Sequence, residues 1–99
     1  MAHALIVDDD ADVVEWLQEV ARMEGFTVAR AHSLRDARIE LGRQRPDVLL
    51  TDLLLPDGEG IELLRELEKP EATEVIVVTG HATVDSAVAA LRAGASDYL

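Results

Sequence analysis

The chain contains no cysteine, three aromatic residues and few basic side chains. The lack of cysteine excludes a disulfide framework and a zinc site with thiolate ligands. Lysine and arginine number 9 against 20 acidic residues, which gives a formal net charge of −11. This charge makes direct binding of the segment to nucleic acid or to an anionic membrane unfavourable. Cations and basic partners suit the chain better.

Long apolar runs are missing as well. No run approaches the length of a membrane span, and the first residues, MAHALIV, lack the basic start of a signal peptide. We therefore expect a cytoplasmic protein without membrane contact. A chain of 99 residues supports one hydrophobic core, so we expect residues 1–99 to form a single domain whose core consists mainly of Leu, Val, Ile and Ala.

Short apolar runs alternate with longer stretches of helical period. Residues 4–7, 27–31, 48–51 and 75–78 are predicted to be buried strands, and residues 97–99 resemble the start of a fifth strand. This alternation is typical of an α/β protein with helices on both faces of a parallel sheet. We predict a doubly wound, flavodoxin-like sheet of strand order 2-1-3-4-5, in which ligands bind beyond the carboxyl ends of strands one and three.

Apolar stripes at helical spacing separate the predicted strands. Two of them predict the buried faces of the first and fourth helices, namely Val13, Leu17, Val20 and Ala21, and Val84, Ala87, Val88 and Leu91. Ser33, with Asp36 three residues later, resembles a capping box at the start of the second helix. The sequence Pro-Asp-Gly at residues 56–58 predicts a turn before the third helix.

Carboxylates follow two of the predicted strands directly. Asp8 and Asp9 come after the first strand, and Asp52 comes after the third. In the predicted strand order these ends are neighbours, so the three side chains should meet at one edge of the sheet. Carboxylate oxygens in such a site suit Mg²⁺, which takes few protein ligands and leaves room for water or phosphate. We interpret Asp10 and Asp12 as first-turn residues that complement the helix dipole.

Two other ligand sites fit this acidic stretch less well. Asp8, Asp10, Asp12 and Glu19 occupy positions 1, 3, 5 and 12 of a calcium-binding loop, but Val13 stands where that loop needs glycine. A flavodoxin-like binder of phosphates or nucleotides would need a loop rich in glycine, serine or threonine after the first strand, and this loop is acidic. A phosphate would therefore come here together with a divalent cation.

Four segments in order, LIVDDD, DVLLTDLLLPDGEG, VIVVTGHAT and AGASDYL, resemble the receiver domain of two-component response regulators over the whole chain. The resemblance implies a (βα)5 receiver fold and a phosphorylation switch rather than a conventional enzyme. The site residues that it implies are Asp52 as phosphoacceptor, Asp8, Asp9, Asp52 and the backbone carbonyl of Leu54 as Mg²⁺ ligands, Thr79 as switch hydroxyl, and Tyr98 as switch aromatic.

The same resemblance implies partners and an output. A sensor histidine kinase would supply the phosphoryl group, and the surface of the fourth helix and fifth strand would change on phosphorylation. Residues 79–99 resemble receivers attached to enhancer-binding transcriptional activators, so that a separate output domain would bind DNA. The resemblance leaves homodimerisation open.

One departure from the family pattern concerns the carboxyl end. Family receivers continue through a lysine after the fifth strand and through a last helix, and both would lie past Leu99. The resemblance therefore implies a receiver truncated before both, without the cation that normally pairs with the acylphosphate. An alternative function follows, a non-catalytic module that keeps the receiver fold and signals by dimerisation alone. The intact acidic residues and Thr79 favour the phosphorylation switch.

Overall fold

The computed structural model describes residues 2–80 and 84–98, without the side chains of residues 84–86, 89 and 98. In chain order, the elements are β1 (His3–Val7), α1 (Ala11–Met23), β2 (Thr27–Ala31), α2 (Leu34–Arg43), β3 (Val48–Thr51), β4 (Leu54–Leu55), β5 (Gly58–Glu59), α3 (Ile61–Glu66), β6 (Glu74–Val77), α4 (Val84–Arg92) and β7 (Asp97–Tyr98). A single 3-10 turn, Pro70–Ala72, precedes β6. None of the described helices has the length and apolar content needed to cross a bilayer.

Five parallel strands form the main sheet, in the order β2-β1-β3-β6-β7. Counted along the chain without the hairpin, this is the order 2-1-3-4-5, as predicted. The predicted bounds are met by β2 and β3. β1 begins one residue earlier than predicted, and β6 both begins and ends one residue earlier. The antiparallel hairpin of β4 and β5 was not predicted, because each of its strands is two residues long and carries no alternating pattern.

Helices cover the two faces of the sheet unequally. The larger core cluster includes Leu5, Leu49 and Val75 of the sheet together with Leu34 of α2 and Leu63 of α3. The smaller cluster, on the opposite face, consists of Ile6 and two residues of α1, Val14 and Leu17, with partly buried neighbours. The larger hydrophobic interior therefore lies on the side of α2, α3 and α4.

The predicted buried face of α1 was partly wrong. Val14, Leu17 and Ala21 are buried, whereas Val13 is half-buried and Val20 is 44% exposed. Val20 instead lines an apolar cavity between α1 and the sheet, beside Leu50 and Ile76, which leaves it partly uncovered. Gly25, which follows this helix, adopts a φ of +90°, which favours glycine.

The predicted stripe of α4 was also partly wrong. Ala90 is buried, whereas Val88 and Leu91 are 41% and 53% exposed, and Ala87 is half-buried. Ala90 belongs to the larger core cluster, so the face of α4 that carries it packs inward and leaves Val88 and Leu91 partly exposed. The side chain of Val84 lies outside the described residues.

Candidate functional site

Asp8 and Asp52 directly follow two adjacent strands, β1 and β3, at the carboxyl edge of the sheet. Val7 at the end of β1 pairs in register with Thr51 at the end of β3. The next residue on each strand, Asp8 and Asp52, continues the backbone ladder. The Asp8 amide donates to the carbonyl of Ala31 at 3.1 Å, and the Asp52 amide donates to the carbonyl of Val7 at 2.9 Å. Regular strand geometry therefore fixes both backbones.

Asp9 completes a cluster of carboxylates with these two residues. One carboxylate oxygen from each of Asp8, Asp9 and Asp52 lies within 4.8 Å of the others. Asp8 and Asp52 are 5% and 8% exposed, whereas Asp9 is exposed. The three residues expected to meet at this edge are thus brought together, with one of them facing solvent. We refer to Asp8, Asp9 and Asp52 as the acidic cluster.

Electrostatics inside the acidic cluster are unfavourable in the absence of a cation. Burial raises the pKa of the Asp8 carboxyl above its ordinary value, and the neighbouring carboxylates of Asp52, Asp9 and Asp10 raise it further. A hydrogen bond from the Asp10 amide to Asp8 Oδ1, at 2.9 Å, lowers that pKa. None of the ion pairs found among the described residues involves the cluster.

Asp10 and Asp12 belong to the start of α1 rather than to the acidic cluster. Asp10 is the N-cap of the helix, and its Oδ1 accepts hydrogen bonds from the amides of Asp12 at 2.9 Å and Val13 at 3.4 Å. Because α1 runs from Ala11 to Met23, the segment up to Glu19 is regular helix. It therefore does not form a calcium-binding loop.

The segment after Asp52 packs tightly on the backbone of that residue. The Leu54 amide lies 3.4 Å from Asp52 Oδ1, which brings the backbone of Leu54 next to the acidic cluster. The Gly60 amide donates to the carbonyl of Leu53 at 2.8 Å. A Cβ on Gly60 would overlap the carbonyl oxygen of Asp52 and lie 2.7 Å from Thr51 Oγ1. Only glycine fits there without a shift of the Asp52 backbone.

The remaining predicted site residues lie on or after neighbouring strands. Thr79 follows β6 by two residues and is half-buried. Since Val77 pairs with Thr51, Thr79 belongs to the same edge of the sheet as Asp52. The backbone of Tyr98 lies in β7, where it pairs with Val77. The side chain of Tyr98, on which its predicted role depends, lies outside the described residues.

Two contacts of the site were missed by sequence reasoning. The Nδ1 of His32 donates to the backbone carbonyl of Asp8 at 3.1 Å, which fixes the tautomer of that ring. The Asp57 carboxylate accepts hydrogen bonds from the amides of Leu34 and Arg35, at 2.8 and 3.1 Å. Asp57 was interpreted only as a turn residue. No local pattern signals these contacts, because each joins residues more than 20 positions apart.

The residues present fit a small divalent cation. Three carboxylates supply hard oxygen ligands that lie within 4.8 Å of one another, and burial together with the neighbouring carboxylates raises the pKa of Asp8. Asp8, Asp9, Asp52 and the adjacent carbonyl of Leu54 could hold Mg²⁺. Such a site would combine a bound cation with a nucleophilic carboxylate at the end of β3.

The family model of the response regulator receiver domain matches residues 4–99. The chain belongs to this family. Receiver domains of response regulators are signalling switches rather than conventional enzymes, and they bind Mg²⁺ at an acidic pocket. Membership of this family supports a signalling role for the chain.

Individual relatives agree with the family assignment. The KDP operon transcriptional regulatory protein KdpE of Escherichia coli (strain K12) is 37% identical over 99 residues, covering 100% of this chain and 44% of the relative. The regulatory protein AtoC of the same strain is 40% identical over 96 residues, covering 96% of this chain and 21% of AtoC. The chain thus spans less than half the length of these curated relatives.

Solved structures show the same fold. A CheY-like receiver domain from Methanospirillum hungatei JF-1 superimposes with a TM-score of 0.90 at 31% identity, covering 100% of this chain and 80% of that one. The beryllofluoride-activated receiver domain dimer of NtrC4 gives a TM-score of 0.88 at 33% identity, covering 100% and 83%. The parallel sheet order of this chain is that of CheY-like receivers.

Proposed function

We propose that residues 1–99 form a receiver unit that accepts a phosphoryl group on Asp52, with Mg²⁺ held by Asp8, Asp9, Asp52 and the carbonyl of Leu54. The observation that carries this proposal is the convergence of the Asp8 and Asp9 carboxylates on Asp52, which is 8% exposed at the end of a central strand. Bound Mg²⁺ would offset the negative charge that accumulates as a phosphoryl group approaches a carboxylate.

The chain's own residues supply the rest of the transfer. An oxygen of Asp52 would attack the phosphorus of a phosphohistidine on a sensor kinase, forming an acyl phosphate as the P–N bond breaks. The imidazole would leave with a proton taken from solvent. Ladder hydrogen bonds fix the backbone of Asp52, and Gly60 packs against its carbonyl, so the nucleophile is held in place before the donor arrives.

Readout would pass through Thr79 and Tyr98 to the surface of α4 and β7. A hydroxyl at the end of β6 would bond a phosphoryl oxygen, and the aromatic ring would move into the space that this displacement opens. Relatives named as transcriptional regulators support an output that controls transcription through a separate DNA-binding domain. The dimer of the NtrC4 receiver supports homodimerisation as part of that output.

Phosphorylation with a small donor tests the proposal directly. The chain is incubated with acetyl phosphate, with and without Mg²⁺, and intact mass spectrometry counts phosphoryl adducts. We expect one adduct that requires Mg²⁺ and disappears in Asp52→Asn. Asp12→Asn is the matched control, because Asp12 lies close by in the first turn of α1 but outside the acidic cluster. An adduct that survives Asp52→Asn contradicts the proposal, and no adduct at all favours the non-catalytic dimerisation module.

A further inference from the structure

A short hairpin connects the acidic cluster to the start of α2. It begins two residues after Asp52 and consists of β4 and β5, joined by Pro56 and Asp57. Its ladder contains two paired positions, Leu54 with Glu59 and Leu55 with Gly58. So short a ladder is not stable by itself in water. Contacts outside the hairpin must therefore hold its tip.

Asp57, at the tip, makes such contacts with the first two amides of α2. Its Oδ1 accepts from Leu34 at 2.8 Å and its Oδ2 accepts from Arg35 at 3.1 Å. Initial amides of a helix have no partner within the helix. The third amide, that of Asp36, donates to the hydroxyl of Ser33 at 3.1 Å. Two residues thus cap one helix end, one of them local and the other 23 positions away along the chain.

Packing and charge agree with this arrangement. A Cβ on Gly58 would lie 2.6 Å from Leu34 Cδ1, so the hairpin backbone lies directly on the buried side chain of Leu34. The two backbone hydrogen bonds hold the pKa of the Asp57 carboxyl below its ordinary value, so the ionised form is the one that caps the helix. A carboxylate at a helix N-terminus is also favoured by the helix dipole.

We propose that Asp57 is a positioning residue for the cation site, because it fastens the hairpin tip to α2 and thereby fixes the carbonyl of Leu54 relative to Asp8 and Asp52. This inference rests on the proposed function, since it takes that carbonyl as a ligand of Mg²⁺. Removal of Asp57 would leave the acidic cluster intact on β1 and β3. Removal of Asp57 would therefore weaken Mg²⁺ binding through the carbonyl of Leu54, which the hairpin contributes.

An NMR titration with MgCl₂ tests the inference. The amide shifts of Asp8, Asp9 and Leu54 are followed in the wild type, Asp57→Ala, Asp57→Asn and Ser33→Ala. Ser33→Ala is the matched control, because it removes a cap from the same helix end without releasing the hairpin. Amide hydrogen exchange checks that each cap is lost: exchange accelerates at Leu34 and Arg35 in Asp57→Ala, and at Asp36 in Ser33→Ala.

We expect Asp57→Ala to raise the Kd for Mg²⁺ roughly tenfold, the lower end of losses seen when a residue that orients a metal ligand is removed. Asp57→Asn should raise it less, because its side-chain oxygen can still accept one hydrogen bond. Ser33→Ala should leave it unchanged. If Asp57→Ala does not fold, the Kd values of Asp57→Asn and Ser33→Ala for Mg²⁺ are compared instead.

Two results overturn the inference, and they are distinguishable. Equal Mg²⁺ affinity in the wild type and both Asp57 variants, or an equal loss in Ser33→Ala, refutes the positioning role and leaves the proposed function standing. If the wild type does not bind Mg²⁺ saturably, both the positioning role and the proposed function are overturned. Asp52→Asn is the reference for lost binding.

Discussion

Val7 and Thr51 pair in register at the ends of neighbouring parallel strands, and an aspartate, Asp8 or Asp52, follows each of them directly. This register places Asp8 beside Asp52 without any loop between the strand and the site. The spacing of the two backbones is therefore set by the sheet, whereas the ligand from the hairpin depends on contacts with α2. Substitutions in these two parts of the site should have different consequences.

Asp8→Asn should stabilise the protein when divalent cations are absent. The folded-state pKa of Asp8 is raised, first by burial and then by neighbouring carboxylates. The folded state thus holds this proton more tightly than the unfolded chain, and stability falls as pH rises from the unfolded pKa through the folded one. Asparagine cannot ionise, and its Oδ1 can keep the hydrogen bond from the Asp10 amide.

Urea unfolding with and without Mg²⁺ measures this effect. At neutral pH without Mg²⁺ we expect a gain on the order of 1 kcal/mol, within the range common for single stabilising substitutions. Added Mg²⁺ should stabilise the wild type and not Asp8→Asn. A less stable Asp8→Asn in chelator, at neutral pH, would show that the acidic cluster does not destabilise the fold.

Gly60→Ala should destabilise the protein although its backbone conformation suits alanine. The φ of Gly60 is −59°, so the cost comes from the overlap of the new Cβ with the carbonyl of Asp52 and with Thr51 Oγ1. Overpacking of this kind costs about 1–3 kcal/mol. Gly42→Ala is the matched control, because a Cβ at that position of α2 meets nothing within 4 Å.

Chemical denaturation separates these two glycine variants. We expect Gly42→Ala to gain roughly 0.5–1 kcal/mol from the better helix propensity of alanine. Gly60→Ala should lose stability and also lose part of its Mg²⁺ affinity, since the shift falls on Asp52. Equal stabilities for the two variants would show that the Asp52 backbone can shift to accommodate the new Cβ at no cost in stability.

The contribution of Asp57 to stability should disappear in acid. Its folded-state pKa is lowered, so its stabilising effect is complete above the unfolded pKa and is lost as pH falls through the folded value. Protonated Asp57 resembles asparagine. The wild type should therefore exceed Asp57→Asn in urea midpoint at pH 7, and the difference should shrink toward zero as the pH falls below the folded pKa. A difference that persists there would argue against the charged cap.

An isolated chain of residues 1–99 should self-associate through the sheet face beside α1. An apolar cavity of about 260 Å³ lies there between α1 and the sheet, lined in part by Val20, Leu50 and Ile76. On α1, Trp16 and Met23 lie at helical spacing from Val20 and are 59% and 85% exposed. Contiguous apolar surface of this kind promotes association.

Sedimentation velocity over a range of concentrations detects this association. Val20→Lys should shift the chain toward monomer, because it places a charge at the rim of the cavity. Ile39→Lys provides the control, since Ile39 is similarly exposed, at 47%, on α2. A monomer at every concentration, or the same response to both substitutions, would contradict the prediction.

The sequence predicted what depends on local patterns and missed what depends on tertiary contacts. Strand order and the meeting of Asp8, Asp9 and Asp52 follow from apolar runs and the rules of parallel sheets. The partial exposure of Val20 on α1 did not, because it depends on which elements pack beside that helix. Asp57 caps a helix whose first residue, Leu34, lies 23 positions earlier in the chain. The turn motif around Asp57 gives no indication of this contact.

The hydrogen bonds inside the acidic cluster also bear on which cation it would select. Asp8 Oδ1 accepts from the amide of Asp10, and Asp52 Oδ1 lies 3.4 Å from the amide of Leu54. Each of these carboxylates therefore has one oxygen next to a backbone amide. Monodentate carboxylate ligands suit a small octahedral ion that keeps several waters, whereas a larger ion such as Ca²⁺ takes more oxygens and often both from one carboxylate. If Asp8 and Asp52 each contribute one oxygen, we expect the acidic cluster to bind Mg²⁺ in preference to Ca²⁺.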